Sequence, residues 1–99
     1  MREEKMKFAF IIMGSFDSNE DCALIHNGLA QIIGVADIEE ACKVAKRLLS
    51  EGIGCIELCG AFDKEGTKRV IQAIDNKIPV GYVTHLPEQE EVYRKAFLR

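Results

Sequence analysis

"CIELCGAF", residues 55–62, reads as a short apolar strand running into a glycine turn. Two of its residues do not suit that reading: Glu57 stands in the middle and Cys59 at the end. On a strand, Glu57 shares a face with Cys55 and Cys59, opposite Ile56 and Leu58. A lone carboxylate between two covered faces of a parallel sheet is costly and must find a partner. It either serves a ligand, as a base or an anchor, or meets a Lys or Arg, a sheet edge or another subunit. The two thiols are four residues apart, which would make them neighbours on a helix. On a strand rising about 3.3 Å per residue they stand roughly 13 Å apart, too far to pair or to share a metal. The strand reading therefore removes both the redox and the zinc motif.

Outward from this stretch, strands and helices alternate. Lys7–Gly14 is a nearly continuous apolar run, the pattern of a strand covered on both faces. Leu29–Ala36 is a second strand, Ile53–Cys59 the third and Ile78–Thr84 the fourth, with Pro79 near its start. Asp37 has the character of an N-cap with Glu40 three residues on, and Ile38, Ala41, Cys42, Ala45, Leu48 and Leu49 recur at helical spacing up to Gly52. Asp63 opens a second helix running to about Asn76, and Pro87 a third with Val92, Tyr93, Ala96 and Phe97 as its apolar stripe. Cys22–Asn27 fits two readings. Ser18 with Asp21 resembles a capping box and Gly28 a stop, which favours a short helix; Ala23-Leu24-Ile25 fits a strand equally well. Strands alternating with helices of this length predict one α/β domain spanning residues 1–99. Its expected form is a compact, mainly parallel four-stranded sheet flanked by helices, flavodoxin-like or half-barrel-like in strand order.

Composition narrows the function classes. The 99 residues carry a formal net charge of −3, and the Lys and Arg residues form only short pairs such as Lys46-Arg47, which argues against nucleic acid as a partner. The longest apolar run, Phe8–Met13, is far shorter than the roughly 20 residues that span a bilayer. The charged segment Met1–Lys7 leads into too brief an apolar run for a signal peptide, so the expected location is cytoplasmic. In that reducing setting the four cysteines are expected as free thiols. A chain this small, with exposed sheet edges, is expected to form a homo-oligomer, a dimer or higher.

The run from Val35 to His85, with "VADIEEACKVAKRLLSEGIGCIELCGAF" and "IPVGYVTH", resembles a family of small prokaryotic proteins known as a domain of unknown function. "IELCGAF" is its most distinctive part. The resemblance implies a compact α/β fold and brings no activity, cofactor or ligand with it.

Topology says where a site belongs. In parallel α/β sheets ligands bind beyond the carboxyl ends of the strands. That edge holds Gly14-Ser15-Phe16, Ala36-Asp37, Cys59-Gly60-Ala61-Phe62 and Thr84-His85. Glu57, Cys59 and His85 are the candidate catalytic residues: Glu57 to orient or deprotonate a ligand, Cys59 as a nucleophile if His85 approaches it, and His85 to move a proton. Ser15, Gly60, Phe62 and Thr84 are the candidate ligand contacts. A metal site of Glu57, Cys59 and His85 is awkward because Glu57 sits one pleat below Cys59, and no metal is assigned. Gly60-x5-Gly66 lacks both nucleotide-binding patterns and reads first as a tight strand-to-helix turn, with Asp63 filling the helix N-cap against any anion. His26 is expected on the surface. The expected partner is a small molecule at the carboxyl edge, its identity and any cofactor unknown. The alternative is a non-catalytic oligomeric or regulatory protein with Glu57 in a structural or subunit contact.

Overall fold

The structure, a computed structural model, describes residues 6–97; the charged start of the chain lies outside them. Its elements in chain order are β1 (Phe8–Met13), β2 (Cys22–Ile25), β3 (Ala30–Val35), α1 (Ile38–Ser50), β4 (Cys55–Leu58), α2 (Asp63–Ala73), β5 (Val80–Tyr82) and α3 (Glu90–Phe97). Short 3₁₀ turns, Gly60–Phe62 and Pro87–Gln89, lead into α2 and α3. The sheet runs β2-β3-β1-β4-β5, with β1 parallel to β3 and β4, β4 parallel to β5, and β2 antiparallel to β3. The four expected parallel strands are present. They stand in the order second, first, third, fourth, which is that of a flavodoxin-like sheet and not the sequential order of a half-barrel.

The fifth strand is a correction to the four-stranded expectation. Cys22–Ile25 is the outer arm of a hairpin, because His26, Asn27 and Gly28 all take left-handed backbone, with φ of 51°, 56° and 90°. Asn and Gly tolerate that region best. The turn folds the chain back so that Ile25 pairs with Ala30 and Cys22 with Ile33.

Helix α1 begins as its sequence predicts. Asp37 accepts the Glu40 N–H at 2.8 Å, and the stripe Ala41, Val44, Ala45 and Leu48 is buried. The crossover β3-α1-β4 steps over β1, and β4-α2-β5 continues in the same direction. Two right-handed crossovers travelling one way put both helices on one face. Accordingly α1 packs on α2, with Ile38 against Gly66 and the Glu39 carboxylate 3.3 Å from the Arg69 guanidinium. Between them and the sheet lie Ala9, Ile11, Ile33, Val35, Ile56 and Leu58, all fully buried, with Phe62 and Val70 above. Each such large side chain contributes about 1.5–3 kcal/mol by leaving water.

Among the described residues no helix covers the other face, which departs from a sheet flanked on both sides. Phe8, Phe10, Ile12, Ile32 and Cys55 alternate onto it, and Ile25, Ile32 and Val83 remain 50%, 38% and 44% exposed. Helix α3 buries none of its residues. Among the described residues no helix is long and apolar enough to cross a membrane.

The β1–β2 loop is tied to α1 by one carboxylate. Glu40 accepts the Ser18 N–H at 3.0 Å and the Ala36 N–H at 2.7 Å. Hydrogen bonding from the Ser18 side chain, then from the Ala36 and Ser18 N–H groups, holds the Glu40 carboxyl below the ordinary value of 4.5. A pKa lowered by folding stabilises above the unfolded value and ceases to do so as pH falls through the folded one. Glu40→Gln should therefore cost about 1 kcal/mol in urea unfolding at pH 7, with the gap from wild type closing as pH drops below 4.5.

Candidate functional site

The parallel arrangement brings the carboxyl ends of β1, β4 and β5 side by side. The segments that leave them enclose a cavity of about 580 Å³. Met13, Cys59 and Gly60 come from the ends of β1 and β4, and Tyr82, Val83 and Thr84 from β5 and the residues after it. His85, Tyr93 and Phe97 close one side, and Asp63 contributes the single carboxylate among the described residues.

His85 is held from two directions. Its Nε2 lies 2.8 Å from Glu90 Oε1, and its ring stacks on Tyr93 with centroids 3.9 Å apart and planes 10° from parallel. Tyr93 in turn stacks near Phe97, at 6.0 Å. These contacts fasten the start of α3 to the sheet edge. The Cys59 thiol accepts the Met13 N–H at 3.4 Å, which links the ends of β1 and β4. Cys59 and His85 share the cavity, yet among the described residues they make no hydrogen bond to each other.

Asp63 has unusual backbone geometry. Its φ is +57° with ψ of −173°, a region that residues with a side chain rarely occupy, at a cost of order 1–3 kcal/mol. The side chain makes no capping bond to α2, contrary to the N-cap expectation. Instead its backbone carbonyl accepts the Thr67 hydroxyl at 2.7 Å, leaving the carboxylate at the cavity wall.

Of the residues singled out from the sequence, Cys59, Gly60, Thr84 and His85 line this one cavity. Glu57, Ser15 and Phe62 do not. Ser15 is exposed on the β1–β2 loop. Phe62 is 2% exposed and belongs to the core beneath α2. Glu57 is half-buried on the uncovered sheet face, where Oε2 accepts the Cys55 thiol at 3.6 Å. A Cβ on Gly81 would come within 2.8 Å of Glu57 Oε1, so the carboxylate occupies room that only glycine leaves. Its strand is interior to the sheet, and among the described residues no Lys or Arg pairs with it. His26 is exposed in the β2–β3 turn. Among the described residues no three His, Cys, Asp or Glu side chains gather closely enough to hold a metal ion. Asp63, Tyr82 and Tyr93 are cavity residues that the sequence reading did not select.

The chain matches a family of unknown function (DUF6506) over residues 6–97 and belongs to that family. No curated protein and no solved structure shows significant similarity to it.

Burial pushes the Cys55 thiol up from its ordinary value, and the Glu57 charge and hydrogen bond push it further. Removing that charge should ease ionisation of Cys55. Glu57→Gln is therefore expected to raise the rate of iodoacetamide labelling at Cys55 near pH 8, read by peptide mass spectrometry, with Cys42 as an internal reference.

Proposed function

We propose that this protein binds a small, planar, largely apolar molecule, uncharged or positively charged, in the cavity at the carboxyl edge of its sheet. The observation that carries this reading is the chemistry of the cavity wall. Tyr82, His85, Tyr93 and Phe97 supply aromatic surface, Asp63 supplies one carboxylate, and among the described residues no Lys or Arg lines the space. A volume of about 580 Å³ falls in the range of small-molecule sites. Aromatic walls favour stacking on a planar ligand and, where it is charged, on a cation. A carboxylate with no cation beside it opposes phosphate and carboxylate ligands.

Within this reading each residue has a part. The Thr84 hydroxyl and the backbone around Gly60 offer hydrogen bonds to polar atoms of the ligand. Asp63 selects for a positive or hydrogen-donating group, and the strain of its backbone is of the kind found where a binding site dictates conformation. His85, clamped by Glu90 and Tyr93, is the group equipped to exchange a proton with whatever is bound. Cys59 contributes a thiol to the same cavity. Glu57 has no part in it, which favours the alternative role in a subunit contact for that residue alone.

Benzylamine, benzyl alcohol and benzoate are matched probes differing in charge. Benzylamine and benzyl alcohol should raise the melting temperature in a thermal-shift titration, by about 4–8 °C for each kcal/mol of binding at this chain size, and benzoate should not. Asp63→Asn should remove the advantage of benzylamine over benzyl alcohol, and Tyr93→Ala should remove both shifts. A larger shift with benzoate, no shift with any probe, or shifts that survive Tyr93→Ala would overturn the proposal.

A further inference from the structure

The chain carries two unpartnered surfaces that fit each other. The first is the sheet face opposite α1 and α2. Its strand residues are apolar except Glu57, and none of them is Lys, Arg or His. Toward β2 it holds a shallow recess of about 380 Å³ walled by Ile12, Phe16, Ala23 and Ile32, with the acids Glu20 and Asp21 at the rim. Phe16 lies so close over Gly34 that a Cβ there would meet its ring at 2.7 Å, which seats the ring as part of the face. Strands of a parallel sheet are normally covered on both faces. Here the cover comes from no described segment of the same chain.

The second surface is α3. At 100° per residue, Val92, Tyr93, Ala96 and Phe97 form one stripe, flanked by Arg94 on one side and Lys95 on the other. Tyr93 turns toward the cavity and His85. Val92 and Phe97 stay 56% and 78% exposed. Arg94 pairs with Glu91 within the helix, whereas Lys95 makes no ion pair among the described residues.

We propose that the uncovered sheet face receives α3 of a second copy of this chain, and that Lys95 of one copy neutralises Glu57 of the other. Charge decides among the arrangements of two copies. Packing the two sheet faces directly together would bury two Glu57 carboxylates with no cation on the strand residues of either face, stripping both of water with nothing to neutralise them. Docking α3 instead brings an apolar stripe with a cation at its margin onto an apolar face whose charges are all acidic. A two-fold axis makes the exchange reciprocal, so each copy both gives and receives a helix. Val83 and Cys59 line the cavity, and alternation from Gly81 and Glu57 puts them on the side of the open face, so the incoming helix lies beside the cavity mouth. The inference does not depend on what the cavity binds.

Light scattering coupled to size exclusion reads the outcome. The full chain should elute at about twice 11.1 kDa. Ile32→Asp on the sheet face and Val92→Asp on α3, both at exposed positions, should each return the monomer with an unchanged circular dichroism spectrum. Glu57→Lys and Lys95→Glu should each weaken dimerisation at least ~10-fold, and the two together should restore it. A wild type that stays monomeric up to millimolar concentration overturns the proposal. So does a dimer broken by Ile32→Asp but indifferent to Val92→Asp, which would be a sheet-to-sheet dimer. A charge-swapped double variant no stronger than the single ones overturns the Lys95–Glu57 pairing.

Discussion

Two successive crossovers that travel the same way across a parallel sheet must land on the same side of it, and this constraint organises the rest of the molecule. Because β3-α1-β4 and β4-α2-β5 both advance from the β3 side toward β5, one face receives two helices and the other receives none. Alternate residues of a single strand then meet opposite fates. Ala9 and Ile11 are fully buried, while Phe8 between the same two strands remains 42% exposed. The same asymmetry explains how a carboxylate survives in the middle of β4. Glu57 is not sealed between two layers. It lies on the open side, over the space left by Gly81, with a thiol donor from Cys55. Helix α3 does not close that side, because the stacking of His85 on Tyr93 and the contact with Glu90 hold it at the carboxyl edge.

That edge is where chemistry concentrates. The ends of β1, β4 and β5 converge there as a consequence of parallel pairing, and the chain leaves them through short segments that carry Cys59, Asp63, Thr84 and His85. The helix that completes the cavity comes from the end of the chain and contributes aromatic surface. Among the described residues a single carboxylate, that of Asp63, is set at the wall by a strained backbone rather than capping its helix. The described wall of the cavity is thus largely apolar, with one acidic group.

Much of this was legible in the residues, for reasons that differ by element. Helix α1 could be read from Asp37, Glu40 and the spacing of Ala41, Ala45 and Leu48, because those signals are local. Strand β2 could be read only as one of two alternatives: four residues at a sheet edge acquire their identity from pairing with β3, and the left-handed turn at His26-Asn27-Gly28 resembles a helix stop in sequence. One-sided coverage was hidden for a related reason. A run such as FAFIIM is apolar on both faces whether the second cover comes from its own helices or from elsewhere. Four of the seven residues singled out line the cavity because topology alone carries loops to the carboxyl edge. Asp63 was masked by its resemblance to an N-cap, and Tyr93 by a position that only the tertiary contact with His85 defines. Phe62, next to a glycine turn, was read as a ligand contact, yet its ring fills the core.

The central claim is that the open sheet face is built to receive α3 from another copy. An isotope-filtered NOE experiment on a mixture of carbon-13-labelled and unlabelled protein isolates contacts between copies from those within one. The account predicts intermolecular cross-peaks joining the methyl groups of Ile12 and Ile32 to the ring of Phe97 and the methyls of Val92. Their absence, in a sample shown to be dimeric, would contradict it.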